Sequence, residues 1–227
     1  VEPVRLDTLA PRIEELSLTG ASVMMRGYEP FRHPDLVGIV QALAASNSTS
    51  KVRRIGMRTD ASALVSLRDA QGCIDNGVRV FEVPLLPREM DALSQEAPLD
   101  ARLAGIQGIR NAAANLGLDT FVCADIFVCT HTAAYFSLVV QAAIAVGVDA
   151  VRVSFDGTDS VPALEALGGI SVLDSMHALA TQNSLAFFGD GQNGHMARYL
   201  KGAVLYRTVA AGTDAEVNDS GDNSDSD

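Results

Sequence analysis

Apolar positions along the chain alternate between two spacings. Leu6, Leu9, Ile13 and Leu16 recur at helical intervals, with Glu14 and Glu15 turned outward. Leu18 to Met25 then reads as a short apolar strand, and Arg26-Gly27-Tyr28-Glu29-Pro30 as a turn. His33-Pro34-Asp35 opens a helix running to about Ala45. Proline suits the first turn, and an acid suits its positive end. Val52–Met57 predicts a strand, Thr59-Asp60 a helix cap, and Ala63–Ile74 a helix closed by Asn76-Gly77. Val78–Val83 predicts a strand that stops at Pro84, before a charged excursion over Leu85–Pro98. Leu99–Leu116 predicts a helix, Thr120–Val128 a strand, Ala133–Val146 a helix and Ala150–Phe155 a strand. Val161–Thr181 reads as mostly helix. Ser184–Phe188 reads as a last strand, entering Gly189-Asp-Gly-Gln-Asn-Gly194.

This β-α-β-α succession, with short Val/Ile/Phe-rich strands that read as apolar on both faces, predicts a parallel sheet covered by helices. Glycines close several helices just before the next strand: Gly77, Gly117 and Gly147. About six units fall short of the eight of a closed barrel. The expected fold is α/β: an open, partial (β/α)6-like barrel, or a doubly wound sheet, over residues 1–212. In either, ligands bind beyond the carboxyl ends of the strands.

Charge changes the picture at one end. The 227 residues carry 28 acids and 17 bases, a formal charge of −11. Residues 213–227 hold Asp214, Glu216, Asp219, Asp222, Asp225 and Asp227 and no base, so −6 lies there and −5 in the rest. That stretch has almost nothing to bury, and an acidic tail disordered over 213–227 is expected. The acidic balance speaks against general nucleic-acid binding. No apolar run approaches the roughly 20 residues of a membrane span, and no signal peptide is visible at Val1-Glu2-Pro3. No membrane partner and a cytoplasmic location are therefore expected.

Three cysteines, Cys73, Cys123 and Cys129, do not make a disulfide scaffold and contain no CxxC or CxxxCxxC. Cys123 and Cys129 share a face if their strand is continuous. Both read as small buried hydrophobes. Four scattered histidines, with no HxH or HExxH, predict no metal site. Gly189–Gly194 is glycine-rich but lacks GxxxxGK[ST] and reads as a turn; no Gly-x-Ser-x-Gly elbow is present.

Arg26-Gly27-Tyr28-Glu29-Pro30, followed by His33-Pro34-Asp35-Leu36, resembles the Gly-Gly-Glu-Pro segment of radical S-adenosylmethionine (radical SAM) proteins, which follows that family's second strand. Arg58-Thr59-Asp60-Ala61 resembles its Thr-Asn-Gly turn. Asp125–Thr130, Gly147-Val148-Asp149 and Val151–Phe155 resemble its fifth and sixth strands and the link between them. The likeness runs in order from about Arg5 to Phe155. It implies S-adenosylmethionine as the candidate cofactor, with Gly27, Tyr28, Glu29, Pro30, Thr59, Asp60 and Ser154 as candidate binding residues.

The resemblance has departures. The family's CxxxCxxC loop should precede Arg5, and no cysteine precedes Cys73, so a [4Fe–4S] cluster is not supported by this chain. Tyr28 stands where a second glycine would let the backbone approach a ligand. The strand ending Glu82-Val83-Pro84 lacks the family's Ser-x-Asp, which puts ribose recognition in doubt.

The leading expectation is a radical-SAM-like domain without cluster cysteines. It would be a non-catalytic subunit binding a ligand, peptide or protein partner in a maturation or biosynthetic system. The alternatives are an active radical SAM enzyme whose cysteine motif lies outside this chain, and an unrelated (β/α)-barrel lyase or isomerase using Glu29, Asp60 or His131. Each candidate also has a local role competing with the ligand-facing one. Glu29, Thr59 and Asp60 suit caps, His33 suits a surface turn, and Asp156-Gly157 suits an ordinary turn.

Overall fold

The computed structural model describes residues 8–11, 13, 22–26, 29–46, 55–62, 67–86, 98–155 and 160–189. Gly27, Tyr28, Asp156-Gly157, the Gly189–Gly194 loop beyond its first residue and the acidic stretch 213–227 lie outside the described residues.

Among the described residues six strands form one sheet. They are β1 (Val23–Met25), β2 (Ile55–Arg58), β3 (Val78–Leu86), β4 (Phe121–Val128), β5 (Ala150–Phe155) and β6 (Ala186–Gly189). Between them run α1 (Leu36–Ser46), α2 (Leu67–Asp75), α3 (Leu99–Leu116), α4 (Phe136–Ala145) and the pair α5 (Ser160–Leu167) and α6 (Ile170–Gln182). Every neighbouring strand pair is parallel, and the spatial order is the chain order, β1 to β6. A doubly wound sheet reverses its strand order part-way; this one does not. Its crossovers progress in one direction and keep the helices on one side, which makes an open partial barrel.

The predicted helix ends hold. Gly77, Gly117 and Gly147 have φ of 106°, 64° and 78°. The Gly117 N–H closes α3 onto the carbonyls of Ala113 and Ala114. Two boundaries differ from expectation. The run over Val161–Thr181 is two helices, because Gly168 and Gly169 take φ of 96° and 81° and break it. Strand β3 does not stop at Pro84 but continues to Leu86. Proline has no N–H for the ladder, and the β3–β4 register shifts between Pro84 and Leu86. The buried Arg102 of α3 donates to the Pro84 carbonyl and ties this irregularity down.

The two faces of the sheet are unlike. Val23, Ile55, Met57, Phe81, Val83, Leu85, Val122, Ala124, Ile126, Val128, Val151, Val153 and Phe155 point to the helical side. There they join Val40, Ile74, Ile106, Ile109, Phe136 and Val140 in one core. Burying each large side chain there contributes about 1.5–3 kcal/mol. The residues alternating with them face the other way. They include Met24 and Arg26, Gly56 and Arg58, Val80 and Glu82, Cys123 and Asp125, and Arg152 and Ser154. A Cβ on Gly56 would press into Met24 and Val80, which shows the three meeting on this side. The strands are therefore not apolar on both faces: the concave face, which carries no helix among the described residues, carries charge.

Candidate functional site

Glu29 caps the 3-10 turn Pro30–Arg32 at the end of the β1 segment. Its Oε1 accepts from the Phe31 N–H at 3.1 Å and from the Thr59 hydroxyl, and its Oε2 accepts from the Asp60 N–H at 2.6 Å. One carboxylate thus joins the loops following β1 and β2. Thr59 donates its N–H to the Glu82 carbonyl at 3.0 Å, continuing the ladder toward β3, and its hydroxyl accepts from the Ala61 N–H at 2.9 Å. Asp60 Oδ1 accepts from the Ser62 N–H at 2.8 Å and the Ser62 hydroxyl at 2.6 Å. Thr59 and Asp60 therefore build a tight turn, and residues 63–66, which separate it from Leu67 of α2, lie outside the described residues. Ala61, with φ of 60°, occupies the left-handed region that glycine favours. Gly105 of α3 packs so closely on Ala61 that a Cβ there would overlap its carbonyl oxygen.

Glu29, Thr59 and Asp60 are 2%, 0% and 2% exposed. Burial pushes the Glu29 carboxyl up to about 7. The Thr59 hydrogen bond opposes this, and the Asp60 charge adds to it. Of the predicted residues, Glu29, Pro30, Thr59 and Asp60 come together. Ser154 does not join them: it lies on β5, paired in register with Phe127 of β4. His33 accepts the Asp35 N–H at 3.0 Å and so caps the entry to α1. His131 is exposed.

A second group was not anticipated. Five charged residues from successive strands meet on the concave face: Arg26, Arg58, Glu82, Asp125 and Arg152. Arg26 Nη2 donates to Glu82 Oε2 at 2.9 Å. Arg58 Nη1 contacts Glu82 and lies 2.8 Å from Asp125 Oδ2. Arg152 reaches Asp125 through Nε at 3.0 Å and Nη2 at 2.9 Å. It reaches Glu82 through Nη2 at 2.5 Å and Nη1 at 3.3 Å. Burial alone would raise the Asp125 carboxyl, but Arg152 and then Arg58 hold it below its ordinary range. Burial also works against the Arg152 guanidinium, and Asp125 and Glu82 more than offset it. The sequence signal was available as one charge per strand, at β2, β3, β4 and β5, each in alternation with core residues.

The cysteines do not converge. Cys73 lies in α2 within the helical core, Cys123 is buried on the concave face, and Cys129 follows β4. Burial pushes the Cys73 thiol up to about 12, with Asp69 adding to it, and burial raises Cys123 further still. Among the described residues no group of His, Cys, Asp or Glu has metal-site geometry. No helix among them is long and apolar enough to cross a membrane.

No family model matches the chain, and no curated protein matches it in sequence. Solved structures do match in fold. SuiB of Streptococcus suis bound to S-adenosylmethionine superposes with a TM-score of 0.56 at 13% identity, over 84% of this chain and 44% of SuiB. The chain shares the fold of SuiB over that part of its length. SuiB bound to its precursor peptide SuiA gives 0.55 at 14% identity, over 84% and 43%. An HpcH/HpaI aldolase from Desulfitobacterium hafniense gives only 0.41 at 13% identity, over 88% and 80%, too weak a likeness to argue from. The chain spans less than half the length of SuiB.

Proposed function

We propose that this chain is a radical-SAM-like domain that binds a small ligand, with S-adenosylmethionine as the candidate, beside the β1 and β2 ends. It acts as the binding or partner subunit of a maturation or biosynthetic system. The observation that carries this reading is Glu29. Two strand-end loops converge on its buried carboxylate, at the position where the resemblance puts an acid facing the cofactor's ammonium group. The residues fit such a group. Phe31, Thr59 and Asp60 take three of the roughly four lone-pair sites on the carboxylate among the described residues, and an ammonium donor would take the remaining site on Oε2. The three cysteines lie apart and do not offer a cluster's set of converging thiolates. SuiB is crystallised with a precursor peptide, which supports a peptide as the partner class.

The second reading is an active radical SAM enzyme with its cluster ligands on a segment outside this chain. It is favoured by the 44% share of SuiB that the chain spans. Anaerobic reconstitution with iron and sulfide separates the two. Sub-stoichiometric iron together with saturable S-adenosylmethionine binding is expected. A stoichiometric cluster, with cofactor cleavage on reduction, would replace the first reading with the second.

The carboxyl at about 7 gives the binding test a sign. An ammonium group requires the Glu29 carboxylate, so below pH 7 binding must first expel a proton. S-adenosylmethionine affinity therefore rises toward pH 8, by up to about tenfold per pH unit on the acid side. Calorimetric titration at pH 6, 7 and 8 checks this, and a flat profile in the wild type would remove Glu29 as the contact.

A further inference from the structure

Glu29 and Asp60 are each 2% exposed, and neither forms an ion pair among the described residues. Buried carboxylates are rarely left so. Glu82 and Asp125, also buried, are each held by arginines. The two unpaired acids differ in how far their oxygens are satisfied. Glu29 accepts on both of its oxygens. Asp60 receives the Ser62 N–H and the Ser62 hydroxyl on the same atom, Oδ1. Its Oδ2 accepts no hydrogen bond among the described residues. Thr120 Oγ1 is the only sealed side-chain oxygen or nitrogen among them without a partner, so the open Asp60 Oδ2 is reachable from outside. The Asp60 N–H donates to Glu29 Oε2 at 2.6 Å, which sets the Asp60 side chain beside the oxygen that keeps a vacant lone pair. The Asp60 charge also raises the Glu29 carboxyl, as a close like charge does.

We infer that Asp60 is a second ligand contact, its Oδ2 and the Glu29 Oε2 together taking two N–H donors of one primary ammonium group. This rests on the proposed function and narrows its ligand class to compounds with an unsubstituted ammonium. Such a group carries three N–H donors. Glu29 alone would leave two of them without an acceptor in a covered site, which is costly. A cation between the two acids also offsets their mutual repulsion. A hard metal ion fits less well. It wants about six oxygen ligands, and no group of three or more His, Cys, Asp or Glu gathers among the described residues.

The test uses the full chain and follows the side-chain carboxyl carbons of Glu29 and Asp60 by NMR. Two monocations serve as probes: propylammonium, with three N–H donors, and N,N-dimethylpropylammonium, with one. Both carboxyl signals are expected to move saturably with propylammonium. The dimethyl probe should bind about tenfold more weakly and leave the Asp60 signal in place. Asp60→Asn keeps an oxygen for Ser62 and turns the open acceptor into a donor. It should lower the affinity for propylammonium and for S-adenosylmethionine about tenfold and erase the preference between the two amines. A merely structural Asp60 would weaken both amines alike and leave their ratio unchanged. The ratio in the wild type is the second measurement should D60N fail to fold. Equal binding of the two amines by the wild type, an unchanged ratio in D60N, or displacement of propylammonium by equimolar magnesium would overturn the inference. S-adenosylmethionine binding that D60N leaves intact would remove it and keep the proposed function. Propylammonium binding with the expected ratio, but no S-adenosylmethionine binding, would do the reverse. Binding of neither would remove both.

Discussion

Phe81 and Glu82 are neighbours on β3, 0% and 3% exposed, and they are held in place by different physics. Phe81 faces the helices in an apolar core, where its contribution is non-directional and proportional to the area removed from water. Glu82 faces the concavity and is held by Arg26, Arg58 and Arg152, where desolvation and attraction nearly cancel and only a complete set of partners is tolerable. The apolar face can absorb a conservative change in shape. The charged face cannot absorb the loss of a single charge, and in exchange it presents a chemically specific surface.

The largest test of that contrast is Glu82→Gln, which removes the buried carboxylate from Arg26, Arg58 and Arg152 and should cost about 3–5 kcal/mol in urea denaturation. Phe81→Ala should cost a similar 3–5 kcal/mol by leaving a cavity. Phe81→Leu should recover most of that loss, whereas Glu82→Asp, too short to keep all three partners, should not. Equal recovery by both conservative changes would erase the distinction.

Gly105→Ala comes next, at about 1–3 kcal/mol, because its methyl group must push α3 off the Ala61 carbonyl. The same change should lower S-adenosylmethionine affinity by moving the Thr59-Asp60 turn, which calorimetry can read against the thermal midpoint.

The pH profile is of comparable size. Glu29 binds its proton more tightly folded than unfolded, with a carboxyl at about 7 against 4.5. Its contribution is therefore fully present below about pH 4.5 and is lost as pH rises through 7. Asp125 works in the opposite sense, its contribution being lost as pH falls through its lowered value. Stability should thus decline between pH 5 and 7.5 in the wild type, and Glu29→Gln should flatten that decline. An unchanged slope in the variant would assign it elsewhere. The smallest effect belongs to Leu138, 63% exposed on α4, where Leu138→Gln should stay within about 0.5 kcal/mol.

Much of the architecture could be read from residue order. The β/α alternation is local, and the closing glycines at 77, 117 and 147 declare themselves because few other residues adopt a positive φ cheaply. Glu29, Thr59 and Asp60 were legible as candidates through the resemblance, and the structure joins them by hydrogen bonds between two loops. The charge group was not legible. Arg58, Glu82, Asp125 and Arg152 each look like an isolated polar residue in an apolar run, and only cross-strand register makes them partners. Pro84 misled for a related reason. A proline ends a strand when its neighbours need its N–H, and here the β3–β4 register shifts just beyond it.

The strand order also has a kinetic meaning. Each strand from β2 to β6 pairs with the strand just before it in the chain, so no pairing waits for a distant segment to arrive. Loop-closure entropy varies only slowly with loop length, and successive closures span one strand-and-helix unit each. The sheet can therefore be assembled in the direction of synthesis. The charge group is completed only when Arg152 of β5 arrives, which makes a late strand the one that finishes the electrostatics of the earlier ones.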